Sequence, residues 1–229
     1  KGKIEIKKQN LANIIRIQVG IRSMIGQDKI ISTSKKNSFW KKGLIDGNEV
    51  ERYKLVYKKN FIHINPKILW AGGFDEDKIK QDKLLIRKTG DKIIATLDTK
   101  GLYHLDNLHF GCSINKNYSL QFILGIINSS LFQFYYQKIT LEKGRAMAQT
   151  DIDTLHSLKI PVIDFKNNKQ KKLHDKIVKL VDDMLALNKH PEKNKIKIEA
   201  TDSEIDDLVY ELYDINKKDR KLIEGAFKK

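Results

Sequence analysis

Of the 44 lysines and arginines in this chain only six are arginine, and four of those fall where the chain is expected to turn. Arg22 lies in the glycine-bounded segment 20–26, Arg52 follows Asp46-Gly47-Asn48, Arg87 edges a hairpin, and Arg145 sits in Lys143-Gly144-Arg145. A guanidinium can donate two parallel hydrogen bonds to guanine O6 and N7, whereas a lysine ammonium is a point charge suited to phosphate. Lys29, Lys41, Lys42, Lys58, Lys59, Lys88 and Lys92 are spread through the same stretch, with Ser23 beside Arg22 as a hydroxyl partner. Phe39, Trp40, Tyr53, Tyr57 and Tyr103 lie among these charges and suit either stacking on bases or filling a β core. The chemistry on offer is recognition of a polyanion.

Other chemistries find less support. No glycine-rich loop leads into Lys-Ser or Lys-Thr, and no Gly-x-Gly-x-x-Gly follows a strand, so a nucleotide cradle is not expected. His104, Asp106 and His109 lack a third strong ligand at regular spacing and read as ordinary surface residues rather than a metal site. Glu76-Asp77-Lys78 has the letters of a nuclease carboxylate set but falls in a polar loop after two glycines. Asn65-Pro66 starts like the Asn-Pro-Pro-Tyr element that grips a flipped base, but Lys67 and Ile68 follow. Neither a catalytic centre nor a metal site is expected.

The elements that would position the basic residues are short strands. Residues 14–19 and 29–32 alternate or run apolar between glycines, and residues 84–87 and 92–97 flank Lys88-Thr89-Gly90-Asp91 as a hairpin with Lys88 and Lys92 at its tip. Residues 120–136 are apolar nearly all round, which predicts one buried helix; Gln121, Asn128, Ser129, Ser130 and Gln133 argue against a membrane span. Pro161 marks an exit into a strand or extended link. Leu173, Ile177, Leu180, Met184 and Leu187 recur at 4-3-4-3 spacing, a two-heptad seam that fits docking on its own domain or pairing with a second copy. A further helix is expected to start at Thr201-Asp202-Ser203-Glu204, a capping-box spacing.

The chain has 229 residues with 40% hydrophobic and 32% charged side chains, which excludes disordered, collagen-like and low-complexity classes. Its single cysteine, Cys112, excludes an internal disulfide and a thiolate zinc cluster and suggests a cytoplasmic protein. Opening at Lys1 without a Met or an apolar leader, it is expected to lack a signal peptide and to be part of a longer protein. The net charge of +15 is unevenly held: residues 1–100 carry 23 basic and 11 acidic residues, residues 101–165 five of each, and residues 166–229 sixteen and thirteen. An excess confined to the first hundred residues points to a basic surface for nucleic acid.

Taken in order, Gly20-x5-Gly26-x-Asp28-Lys29, then residues 44–47 leading to Glu51-Arg52-Tyr53, then residues 83–88, resemble the TaqI-like C-terminal specificity domain of DNA adenine-N6 methyltransferases and fused restriction-modification enzymes. Residues 124–132 are similar to that family's Leu-x-x-Ile-Leu-Asn-Ser helix, residues 144–149 and 158–162 to the segment ending in Leu-Pro-Ile-Pro, and residues 205–213 to its Ile-Asp-x-Leu-Val-Tyr-x-Leu-Tyr tail. The sequence departs at Ile160-Pro161-Val162, with one proline, and at Arg22-Ser23-Met24, where Thr-Gly is usual. The resemblance implies an α+β fold: a mixed, β-rich target recognition domain over residues 1–165, then a helical region, residues 166–229, as spacer or docking helices. It implies double-stranded DNA as partner, and an upstream methyltransferase domain holding the catalytic residues and S-adenosylmethionine, with Mg²⁺ for a form that also cleaves. No cofactor is expected in this segment. The rival readings are an interaction module that forms a homo-oligomer through residues 173–187, a nuclease using Glu76 or Asp82, and an RNA-binding domain.

Overall fold

The computed structural model describes residues 7–70, 75–140, 144–145 and 148–227. In chain order it has β1 (Lys8–Asn10), β2 (Ile15–Val19), β3 (Ile31–Ser32), β4 (Trp40–Leu44), β5 (Val50–Glu51), β6 (Lys54–Leu55), β7 (Phe61–His63), α1 (Glu76–Lys80), β8 (Lys83–Arg87), β9 (Ala95–Asp98), β10 (Tyr103–His104) and β11 (Leu108–Ser113). Then follow α2 (Leu120–Asn128), α3 (Ser130–Thr140), α4 (Ile152–Ser157), β12 (Lys159–Pro161), α5 (Asn168–Leu187), α6 (Pro191–Leu212) and α7 (Lys217–Gly225). The class is α+β, strands first and helices after.

A four-stranded antiparallel sheet, ordered β2-β11-β8-β9, forms the middle layer. Alternate residues of a strand face opposite sides, and here both sides are covered. Ile15, Ile17, Leu84, Ile86 and Ala95 join a core with Phe122, Ile123, Ile126, Ile177, Val181, Ile205 and Val209 of the helices. Leu85, Leu108, Phe110 and Cys112 point the other way into a second core with Leu44, Ile62, Ile64 and Leu105. Burial on both faces explains why Leu84-Leu85-Ile86 is an unbroken apolar run. The second core is closed by a smaller sheet ordered β10-β4-β7-β3, in which only the β10–β4 pair is parallel. Lys83 and Asp98, directly opposite each other across β8 and β9, form a fully buried ion pair at 2.6 Å, and Lys83 also donates to the carbonyl of Ile79.

Three expectations need correction. The single helix over 120–136 is two helices broken at Ser129, whose hydroxyl donates to the Ile126 carbonyl at 2.7 Å. Asn128 next to the break is fully buried: its amide accepts from the Ala95 N–H at 3.2 Å and donates to the Ala95 carbonyl at 3.0 Å. Gln133, one turn on, makes the same pair of bonds with Ile93, both at 2.9 Å. Two side-chain amides therefore serve the β9 edge in place of a neighbouring strand, satisfying backbone groups whose burial unpaired would be costly.

The seam on α5 is rotated from the expected one. Gln170, His174, Ile177, Val181 and Met184 are its buried positions, and Leu173 and Leu180 flank them against the same core. That stripe packs within the chain, between α2 and α6. Gly125 allows the approach, since a Cβ there would lie 2.9 Å from both Ile177 Cγ2 and Val181 Cγ2. No second helix starts at Thr201. α6 begins ten residues earlier with Pro191 in its first turn, and the Thr201 hydroxyl donates back to the Lys197 carbonyl at 2.8 Å inside an unbroken helix.

The β8–β9 hairpin is present in the register Lys83↔Asp98 to Ile86↔Ala95, with β9 starting at Ala95 rather than Lys92. Its tip is held down: Gly90, at φ +129°, donates to the Ala148 carbonyl, and Thr150 donates to the Lys88 carbonyl at 2.6 Å. No helix among the described residues is long and apolar enough to cross a membrane.

Candidate nucleic-acid interface

The loop after β2 is positioned by a close backbone approach. A Cβ on Gly20 would fall 2.2 Å from the Leu105 carbonyl oxygen, so only glycine lets β2 run up against the end of β10, where Ile21 bridges Leu105. Gly26, at φ +106°, turns the chain back. Just after Gly26, Gln27 ties the loop together: its amide accepts from the Ser23 N–H at 2.9 Å and donates to the Ile21 carbonyl at 3.1 Å and to Asp106 Oδ1 at 2.8 Å. Asp106 Oδ2 takes Arg22 Nε at 2.8 Å, and the Ser23 hydroxyl accepts from the Ile25 N–H at 3.1 Å. A second segment lies antiparallel alongside, with Met24 donating to Ile68 at 2.8 Å and Trp70 to the Arg22 carbonyl at 2.9 Å.

The lysines lie on the smaller sheet and its loops. Lys29 is exposed in the turn leading into β3, Lys42 is exposed on β4, and Lys58 and Lys59 are exposed just before β7, Lys59 in the left-handed region at φ +64°. Lys41, on the opposite face of β4 from Lys42, helps hold the Glu76 carboxyl below its usual range, after the larger effects of Lys80 and the Tyr103 hydroxyl. Glu49, one of the acidic residues in this stretch, does not offset these charges at the surface: it is fully buried and accepts from the N–H groups of Ile45, Asp46 and Lys58.

Arg52, Arg87 and Lys92 come together elsewhere, lining a cavity of about 450 Å³ with Ile93, Asn128, Gln133 and Phe227. Arg52 grips Asp202 of α6 with both terminal nitrogens, at 3.0 and 2.7 Å, and donates to the Asn128 carbonyl at 2.8 Å. Arg87 donates to the Val50 carbonyl at 2.7 Å, and Lys92 lies over the Phe227 ring. Lys88 is half-buried at the hairpin tip and Arg145 is exposed near the segment that pins it. The candidates thus fall into two groups, one on the smaller sheet and one at the seam between sheet and helices.

Residues 42–162 match the family described as the TaqI-like C-terminal specificity domain. The chain belongs to that family. No curated protein matches it. Its fold is similar to that of the Type IIL restriction-modification enzyme MmeI, solved in complex with DNA, at a TM-score of 0.58 and 12% identity over 97% of this chain and 36% of that one. This chain therefore spans little more than a third of the MmeI chain. It also matches a Type-I restriction-modification S subunit from M. genitalium (TM-score 0.43, 11% identity, 90% of this chain and 45% of that one). A chain from a type I R-M system assembly matches at TM-score 0.46 and 10% identity, over 92% of this chain and 47% of that one.

The family match covers Lys42 of β4, the hairpin and the α2–α3 break of this specificity domain, and the geometry explains two motifs outside or across it. Asp206 of the Ile205-Asp206-Asp207-Leu208 tail accepts from the Ser130 N–H at 2.8 Å, capping the first turn of α3, while Asp202 one turn earlier holds Arg52. The tail is a clasp on the Asn128-Ser129-Ser130 break. Sequence reasoning missed Asn128 and Gln133 as edge partners and Asp202 and Asp206 as clasps; the one-turn spacing of Asp202 and Asp206 on α6 is the signal that was there to use.

The catalytic letters resolve into structural parts. Glu76 opens a short helix and accepts from the Tyr103 hydroxyl at 2.8 Å, and Asp82 is exposed. His104 and His109 are buried rather than on the surface: burial first, then Lys83, pushes His104 down to about 3, and His109 Nε2 meets the Thr150 carbonyl at 2.8 Å. Among the described residues no three His, Cys, Asp or Glu side chains gather to hold a metal ion.

Proposed function

We propose that this specificity domain reads a sequence in double-stranded DNA for a restriction-modification enzyme that methylates adenine at N6, as part of a cytoplasmic protein. The observation that carries this reading is the coincidence of the family match with the basic smaller sheet, where the exposed Lys42, Lys58 and Lys59 lie on one sheet and its loops. Lys29, Lys42, Lys58 and Lys59 would meet phosphates and set register, and Arg22 and Ser23 would reach base edges. Lys41, which is turned toward Glu76, and Lys88 and Arg145 at the hairpin tip would add flanking contacts. Arg52, Arg87 and Lys92 would hold the sheet to the helices. S-adenosylmethionine, and Mg²⁺ for a cleaving form, would be bound by an upstream catalytic domain, as membership of this family suggests.

The test is selection of bound duplexes from a randomised pool at low and near-physiological salt. An enriched motif that survives the higher salt supports the reading. Binding that vanishes with salt and enriches nothing rejects sequence readout. Within the reading, Lys42→Ala and Lys58→Ala each lower the slope of log K against log salt by about 0.9, since each lysine releases one counterion's worth of phosphate neutralisation.

A further inference from the structure

The paired loops 22–25 and 68–70 present three large apolar side chains to solvent: Trp70 is 57% exposed, Met24 48% and Ile25 44%. They come from segments more than forty residues apart, brought together by the backbone bonds Met24 to Ile68 and Trp70 to Arg22. Their exposure is built, because Gln27, Asp106 and the Ser23 hydroxyl fix the loop from within. A rigid loop that keeps apolar groups in water is a surface shaped for a partner.

The surroundings say which partner. Between residues 20 and 70 there are eleven cationic and four acidic side chains; of the acidic four Glu49 is buried, Asp46 caps a turn and Glu51 pairs with Lys54. Arg22 is held by Asp106 through Nε only, so both of its terminal nitrogens are left without a partner among the described residues and the guanidinium is aimed by an anchor behind it. Apolar side chains flanked by cations and beside an oriented arginine suit a nucleic acid, whose bases offer apolar faces beneath a rim of phosphate. A neutral protein surface would match the apolar residues but would offer Arg22 no anion to read, and the family match favours DNA over an acidic protein, whose carboxylates a guanidinium could also grip.

We infer that this loop pair is an apolar tip that packs against bases of duplex DNA, with Trp70 stacking, Met24 and Ile25 wedging beside it, and Asp106 acting as the positioning residue for Arg22. The inference rests on the DNA-reading function above and adds to it the residues that touch the bases and the way they do so.

The chain's two tryptophans make it testable directly. Trp40 is buried and stacked on His63, so a change in emission on adding duplex reports Trp70. Titrating the full chain with a mixed-sequence duplex at low salt, and with any duplex enriched by selection, is expected to quench emission strongly, with the change absent in Trp70→Phe. Trp70→Ala is expected to weaken binding about tenfold, in line with loss of one base–aromatic stack, while leaving the salt slope unchanged because no counterion is involved. Asp106→Asn is expected to reduce discrimination between duplexes more than total affinity. Duplex binding with unaltered Trp70 emission and unaltered Trp70→Ala affinity overturns the tip while the DNA-reading function stands. Failure to bind any duplex at low salt overturns both. Self-association that quenches Trp70 without DNA assigns the tip to a protein interface and likewise overturns it.

Discussion

Arg52→Ala should cost stability rather than readout. In the fold Arg52 makes a two-point grip on Asp202 at 2.7 and 3.0 Å, a bond to the Asn128 carbonyl at 2.8 Å, and a cation–π contact with the Tyr53 ring at 5.4 Å. The two ionic side chains are 39% and 31% exposed, so solvent screens the pair and its coupling is about 1 kcal/mol, the upper end for exposed pairs. The charge-assisted bond to Asn128 adds roughly 1 kcal/mol, and the ring contact about half that. The sum is about 2.5 kcal/mol, which in a chain of this size lowers Tm by on the order of 5–10 °C. Calorimetry on Arg52→Ala, Asp202→Ala and the double variant should show the two single losses failing to add, with an interaction of about 1 kcal/mol. Duplex affinity measured well below the lowered Tm should stay within roughly twofold of the parent, against the roughly tenfold or greater loss at one base pair that a lost bidentate base contact brings. An Arg52→Ala protein with an unchanged Tm and a discrimination loss at a single base pair would refute the clasp and return Arg52 to the interface.

Three further outcomes follow from buried groups. His104 is neutral in the fold, at about 3 against an ordinary 6.5, so the unfolded chain binds a proton below pH 6.5 that the folded chain refuses; stability is complete at neutral pH and falls as pH drops through 6.5. Between pH 7 and pH 5 the loss is about 2 kcal/mol, with His109, also lowered by burial, acting in the same direction; urea midpoints of His104→Gln should show a flatter limb, and an unchanged limb would count against this assignment. Lys83→Met strands Asp98 in the second core and should cost about 3–5 kcal/mol by urea denaturation, whereas Lys83→Met with Asp98→Asn should recover only part of it, since Asn removes the buried charge but keeps only one of the bonds that the two Asp98 oxygens accept from the N–H groups of Lys100 and Leu102. Gly125→Ala should lower Tm by about 3 °C, the overpacking of roughly 2 kcal/mol against Ile177 and Val181 outweighing about 1 kcal/mol of gained helix propensity, with Val181→Ala restoring part of the loss.

What could be read in the sequence was what local pattern controls. A strand covered on both faces must be apolar without interruption, and residues 84–86 are; a solvated lysine stays at the surface, and Lys42, Lys58 and Lys59 do. The break at Ser129 carries no proline or glycine; the serine caps it locally, on the Ile126 carbonyl and the Phe132 N–H, while Asp206 on the Ser130 N–H and Arg52 on the Asn128 carbonyl come from far along the chain and show in no window around it. Thr201-x-x-Glu204 has capping-box spacing, but a threonine can satisfy its hydroxyl on the preceding turn just as well, and Pro191 was the better start signal. The α5 stripe shifted because Gln170 and His174 are buried there, the His174 ring against Phe122 and Phe165, and polar residues are not counted when apolar spacing is used to find a seam.

The arginines carry the larger lesson about reading sites. Rarity in a lysine-rich chain suggested that each loop arginine faces a base, on the ground that only a guanidinium makes two parallel hydrogen bonds in a fixed plane. The same geometry is what a fold needs to rivet one element to another: Arg52 holds the β5–β6 turn to α6, Arg87 holds β8 to Val50, and Arg220 holds α7 to Asp207. Lysine, flexible and strongly hydrated, does this poorly, so a chain that supplies its surface charge with lysine keeps arginine for directed contacts of either kind. Type alone therefore cannot separate a rivet from a reader; whether the terminal nitrogens are committed can. Arg52 has both terminal nitrogens bonded inside the fold, and Arg87 has one on a backbone carbonyl. Arg22 is anchored at Nε, and neither terminal nitrogen has a partner among the described residues, which is the arrangement a reader requires and a rivet does not.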